Sequence, residues 1–161
     1  MNIEYRLATT ADVKGIQYVL STTWQATYSN LKPETIEQVK AKWHSTEFLS
    51  KQIKNEKFYF PIAFDGNEVV GIATSGMREE GIVDLFRFYV LPEYQGKGIG
   101  TKLLSMVEEK YPEAKTVKAY VDVNNQQGIE YYERRGFKKI KQETEESFGE
   151  VMTEWLMEKE L

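Results

Sequence analysis

Apolar and polar residues alternate from Ile3 to Ala8, the period of a half-buried strand. The period then lengthens. Val13, Ile16, Leu20, Trp24 and Tyr28 fall on one face of a helix that Thr10 can cap and that runs to about Tyr28. Asn30-Leu31-Lys32-Pro33 breaks the pattern, and Pro33-Glu34 opens a second helix bearing Ile36, Val39 and Trp43. Ser45 or Thr46 can cap a short third helix holding Phe48, Leu49 and Ile53, with a charged link over Lys51 to Lys57.

Phe58 to Phe64 predicts a strand, Asp65-Gly66-Asn67 a hairpin turn, and Glu68 to Met77 the return strand. Arg78 to Gly81 turns the chain into Ile82 to Leu91, whose β-branched and aromatic residues suit a strand buried on both faces. Pro92 ends it. Ile99, Leu103, Met106 and Val107 then mark a helix closed by Tyr111-Pro112. Lys115 to Asp122 is a further strand, parallel to the previous one because a helix crosses between them. Gln126 to Arg135 is helical and ends at Gly136. Phe137 to Glu145 and Val151 to Glu158 are the last strands, joined by Glu146 to Glu150. The fold class is therefore α/β of the α+β kind: a mixed, mostly antiparallel central sheet flanked by helices, in one domain over 1–161.

Length and composition narrow the function. The chain has 161 residues, enough to bury a sizeable core. Aromatic residues make up 13%, more than a core needs, so some are free to line a pocket. A net charge of −4 argues against a nucleic-acid binder and suits a cationic partner. Without cysteine there is no disulfide, thiolate metal site or acyl-cysteine intermediate. His44, the only histidine, has no partner at metal-ligand spacing and reads as a surface or capping residue; no metal is expected. No signal pattern and no run of about 20 apolar residues is present, so the expectation is a cytoplasmic protein away from membranes.

The candidate chemistry lies at Gln95-Gly96-Lys97-Gly98-Ile99-Gly100, where strand gives way to helix. Three glycines leave the first helical amides uncovered, an anion site beside the charge of Lys97. A dinucleotide fingerprint would need glycine where Thr101 or Leu103 stands, and a P-loop would need Gly-Lys-Ser/Thr where Gly100-Thr101-Lys102 stands. Tight packing alone explains bare glycines equally well.

Gln95-x-x-Gly98-x-Gly100, after Tyr89-Val90-Leu91-Pro92-Glu93-Tyr94, resembles the pyrophosphate loop of the GNAT superfamily of acetyl-CoA-dependent N-acetyltransferases. Asn125 to Phe137, with Gly128, Tyr132 and Gly136-Phe137, is similar to that family's second signature, although the family more often has Ala at the place of Gly128. The resemblance implies the GNAT-type acyl-CoA N-acyltransferase fold, with acetyl-CoA as cosubstrate. It places the cofactor against Phe88, Tyr89 and Val90 of the splayed strand, the loop Gln95 to Thr101 (Gln95, Gly96, Lys97, Gly98, Ile99, Gly100 and Thr101), Asn125 and Tyr132. It implies a backbone N–H near Val90 as oxyanion donor and Tyr132 as the acid that protonates the leaving thiolate.

Asp84, on the central strand where similar sequences often carry an acidic residue, is the first candidate for general base or water-relay anchor, with Glu79 and Glu80 as alternatives; a solvated charged turn explains at least one of these two better, and all three also suit holding a cationic substrate. Trp24 and Tyr28 read either as core or as walls of the acceptor pocket. The acceptor expected is a small cationic amine such as a polyamine, amino sugar or amino-acid derivative. Protein amino groups come second, a non-catalytic acyl-CoA sensor is the rival, and a homodimer is a further expectation.

Overall fold

A computed structural model describes residues 1–161. The strands are β1 (Ile3–Leu7), β2 (Phe58–Tyr59), β3 (Pro61–Asp65), β4 (Glu68–Glu79), β5 (Ile82–Val90), β6 (Thr116–Asp122), β7 (Lys138–Ser147) and β8 (Glu150–Glu160). The helices are α1 (Val13–Thr27), α2 (Pro33–Trp43), α3 (Thr46–Lys54), α4 (Ile99–Lys110) and α5 (Gln126–Arg134). One sheet runs β1-β3-β4-β5-β6-β8-β7, with β2 also on β4. Every pairing is antiparallel except β5 with β6, where α4 makes the crossover.

That parallel junction positions the site. β5 pairs with β6 only from Ile82 to Leu85, against Thr116 to Ala119. Beyond it both strands continue, β5 to Val90 and β6 to Asp122, so one edge of β5 loses its partner while the other stays on β4 as far as Val90. The strand expected to be buried on both faces is fully buried only over Val83–Leu85; Phe86 is exposed, and Arg87 to Val90 are half-buried. The reason is the split itself, which opens a cleft along the outer half.

Four local expectations change. The single strand over 58–64 is two, because Pro61 has no N–H for a ladder and Phe60 turns its carbonyl to the Ala8 N–H at 2.9 Å. Thr9, not Thr10, caps the first helical segment, in a capping box with Asp12. The charged link begins after Lys54, since α3 runs that far. The last hairpin turns on two residues, Phe148 (φ 50°) and Gly149 (φ 83°), rather than five, with Ser147 paired to Glu150.

The main core of 27 buried residues joins α1 and α4 to the central strands. At about 25 cal/mol per Å² of apolar area, such burial is the main term opposing chain entropy. Tyr28, Leu31 and Met152 form a small second cluster that ties the end of α1 to β8. His44 is buried, not on the surface: it ends α2 with its ring edge-on to Trp24 at 5.4 Å. No helix is long and apolar enough to cross a membrane.

Candidate active site

A cleft of about 790 Å³ follows the β5–β6 split from the start of α4 to the end of α1. Its floor is Phe88, Tyr89 and Val90; one wall is Gln95, Gly96, Gly98, Gly100 and Thr101; the other is Asn125, Gly128, Tyr131 and Tyr132. Tyr28 closes the far end with Asp122. Eleven of the sequence-predicted residues thus meet in one place: Tyr28, Phe88, Tyr89, Val90, Gln95, Gly96, Gly98, Gly100, Thr101, Asn125 and Tyr132.

The loop has the backbone an anion cradle needs. Gly96 and Gly98 hold φ at 75° and 83°, where L side chains are strained, and nothing lies within 4 Å of either missing Cβ. Gly98 caps α4, and the first helical bond there is Lys102 N–H to Gly98 carbonyl at 3.0 Å, which leaves the amides of Ile99, Gly100 and Thr101 without helical acceptors. Gln95 braces the loop by donating to the Val90 carbonyl at 3.0 Å and accepting from Gln127 at 3.2 Å. Lys97 is exposed beside the cleft, and the Ile99 side chain is buried in the core.

Across from the loop, Asn125 caps α5 by accepting the Gly128 N–H at 3.0 Å. A Cβ at Gly128 would stand 2.4 Å from the Asn125 Nδ2, which accounts for glycine here. Tyr132 packs between Phe137 (4.9 Å) and Phe88 (6.0 Å). Burial holds its phenol protonated, raised well above the usual range, with the charges of Tyr89 and Tyr131 adding to the shift. Tyr131 lies beneath the Arg135 guanidinium, 3.5 Å from ring centre. Arg135 also donates to the Tyr131 carbonyl at 3.1 Å and the Thr101 hydroxyl at 2.9 Å, locking α5 onto the first turn of α4.

The remaining predicted residues stand apart from the cleft lining. Asp84 is ion-paired to Arg78 at 3.0 Å. Glu79 and Glu80 are exposed where β4 turns into β5, the opposite end of β5 from the glycine loop. Trp24 stacks on Tyr28 at 4.2 Å and packs with it against the second cluster.

Sequence reasoning missed Asp122, Glu154, Arg134 and Arg135. Asp122 ends β6 at the carboxyl edge, where α/β sheets place ligands, so its position was a readable signal. Glu154 lies opposite it on β8, and only the strand register brings the two together. Burial first, then the charges of Glu145, Asp122 and Glu143, push the Glu154 carboxyl up to about 7. Arg134, the last residue of α5, and Arg135, which caps it, also line the cleft.

The model of the acetyltransferase (GNAT) family matches residues 21–137. An uncharacterized N-acetyltransferase of Methanocaldococcus jannaschii is 29% identical over 105 residues, 61% of this chain and 46% of that protein, so the match spans about half that relative's length. The spermidine N(1)-acetyltransferase of Thermoplasma acidophilum is 27% identical over 146 residues, covering 86% of this chain and 89% of that protein. Among solved structures, the PaiA N-acetyltransferase of Thermoplasma acidophilum, in complex with coenzyme A, superposes with a TM-score of 0.86 at 28% identity over 100% of both chains.

Proposed function

The chain belongs to the GNAT family of acetyltransferases, enzymes that use acetyl-CoA to acetylate amines, and from that premise we propose that its acceptor is a polyamine. The observation that carries the reading is the split of β5 from β6, which runs from uncovered amides at one end to the Asp122 carboxylate, in no ion pair, at the other. A diphosphate suits the first end and an ammonium the second. The similarity to a spermidine N(1)-acetyltransferase supports the same choice.

The residues present fit coenzyme A. The uncovered amides at Gly98 to Thr101, with open space at Gly96 and Gly98, would hold its diphosphate, and the unpaired edge of β5 at Phe88 to Val90 would bond its amide-bearing arm. When bound, acetyl-CoA supplies an acetyl group activated as a thioester.

The chain's own groups then meet three demands. The Val90 region offers a backbone N–H to the oxygen on which charge develops; one such donor is worth about 3 to 4 kcal/mol of barrier. Tyr132 gives its proton to the departing sulfur, a role that its buried, protonated phenol suits. The amine must arrive without its extra proton, and the Asp122 carboxylate in the cleft, with Glu154 opposite it on β8, suits that task.

Acetyl-CoA consumption with a panel of spermidine, spermine, amino sugars and peptides with free amino termini tests the reading. Turnover selective for the polyamines is the expected result. Selectivity for peptides would replace the acceptor, and coenzyme A binding without turnover on any amine would replace the enzyme by a sensor.

A further inference from the structure

Asp122 and Glu154 are partners across the β6–β8 ladder, so their side chains leave the same face of the sheet. Asp122 is 4% exposed, lines the cleft, and accepts one bond at Oδ1 from the Asn124 N–H at 2.8 Å. Neither carboxylate makes an ion pair: the chain's bridges are Arg6–Asp12, Lys40–Glu37, Lys51–Glu47, Arg78–Asp84, Lys141–Glu143 and Lys159–Glu108. The neighbours of Glu154 offer no relief. From β7 come Glu143, engaged with Lys141, and Glu145; from α1 and β5 come Tyr28 and Tyr89, whose phenols both sense its charge.

Asp122 is buried and Glu154 half-buried, and two like charges opposite one another on paired strands are costly unless a cation or a proton joins them. Arg134 and Arg135 also line the cleft, but no cation of the chain pairs with either carboxylate. A second observation points to a ligand: the Tyr132 side chain, only 8% exposed and lining the same cleft, carries a hydroxyl that makes no hydrogen bond within the chain. The cleft therefore presents an unbonded hydroxyl at Tyr132 and, at Asp122, a carboxylate in no ion pair whose one side-chain bond comes from the Asn124 N–H.

Resting on the polyamine reading above, we propose that Asp122 and Glu154 form the anchor that receives the acceptor: Asp122 meets the ammonium at the cleft wall, and Glu154 beside it takes the proton. The proton count closes. An ammonium nitrogen carries three protons and the amide product keeps one. The first goes to the carboxylate pair and from there to water. The second leaves as the carbon–nitrogen bond forms and the carbon–sulfur bond breaks, and it balances the proton that Tyr132 gives to sulfur. A Glu154 carboxyl near 7 is matched to accepting a proton at neutral pH.

The test compares wild type, Glu154→Gln, Glu154→Asp and Asp122→Asn, using spermidine and acetyl-CoA from pH 5.5 to 9, with calorimetric titration of spermidine. In wild type, kcat/KM should fall on the acid side around pH 7. Glu154→Gln should lower kcat by roughly 10²- to 10⁴-fold and flatten that limb, and Glu154→Asp should restore part of both. Asp122→Asn should weaken spermidine binding about tenfold or more. In every variant the rise of Tm with coenzyme A should persist, which separates chemistry from folding. Wild-type turnover and an acid limb retained in Glu154→Gln would overturn the anchor while leaving the polyamine reading intact. A wild type inert to spermidine would overturn the polyamine reading, and the anchor with it.

Discussion

The Tyr131 hydroxyl lies 2.6 Å from the point that a Cβ on Gly100 would occupy. Of the glycines in the loop, Gly96 and Gly98 face open space at positive φ, whereas Gly100 is in the helix and buried beneath a phenol. The two kinds of glycine do different work, so substitutions at them should fail differently.

At Gly100 the failure is one of packing. Gly100→Ala pushes its methyl into Tyr131, which Arg135 covers from the other side, and the expected cost is about 1 to 3 kcal/mol in urea denaturation. Tyr131→Phe removes the nearest atom and leaves the ring carbon at 3.2 Å, so the double variant should recover part of that loss. Additive losses would show that the two residues do not press on each other.

At Gly98 the failure is one of binding. Gly98→Val forces a branched side chain to φ near 83° and covers the amides of the first turn of α4. The protein should still fold, at a cost of about 1 to 3 kcal/mol, but its Tm should no longer rise with added coenzyme A. A shift equal to that of wild type would remove the cradle from the binding site.

Tyr132→Phe separates binding from chemistry. The ring sits between Phe88 and Phe137 and its hydroxyl bonds nothing in the chain, so packing survives the change. Turnover should fall by roughly 10²- to 10⁴-fold with the affinity for coenzyme A nearly intact. An unchanged kcat in single-turnover measurements would take Tyr132 out of the proton path.

What the sequence made legible follows from how local each signal is. The strand, glycine turn and helix around Gly98 are set by neighbouring residues, and so is the Asn125 cap; both could be read directly. The Asp122–Glu154 pair depends on the β6–β8 register, and no local pattern encodes a partner 32 residues away. Burial of His44 likewise depends on how α2 meets Trp24, so a lone polar residue near a helix end looked solvated. Asp84 attracted attention because it lies on the central strand, but its ion pair with Arg78 becomes visible only once β4 and β5 are folded together.

His44 gives the fold a dependence on pH that can be measured apart from activity. Burial first, then the charges of Arg87 and Lys40, lowers its imidazole from 6.5 to about 4, and Nδ1 is buried without a partner. Arg87 cannot move away, because it donates to the Trp43 carbonyl at 2.9 Å and also bonds Gln52. The unfolded chain therefore takes up this proton first as pH falls, so the contribution is fully present above pH 6.5 and is lost as pH drops toward 4. The loss should reach about 3 kcal/mol. Glu154 acts with the opposite sign: its folded value of about 7 exceeds the unfolded 4.5, so its protonation adds stability as pH falls across that range. Comparing variants isolates the two. Between pH 7 and 4.5, urea midpoints of His44→Gln should decline less than those of wild type, whereas Glu154→Gln should be more stable than wild type at pH 8 and should lose that advantage by pH 4.5. Parallel curves for wild type and His44→Gln would mean that the imidazole is not held neutral in the folded protein.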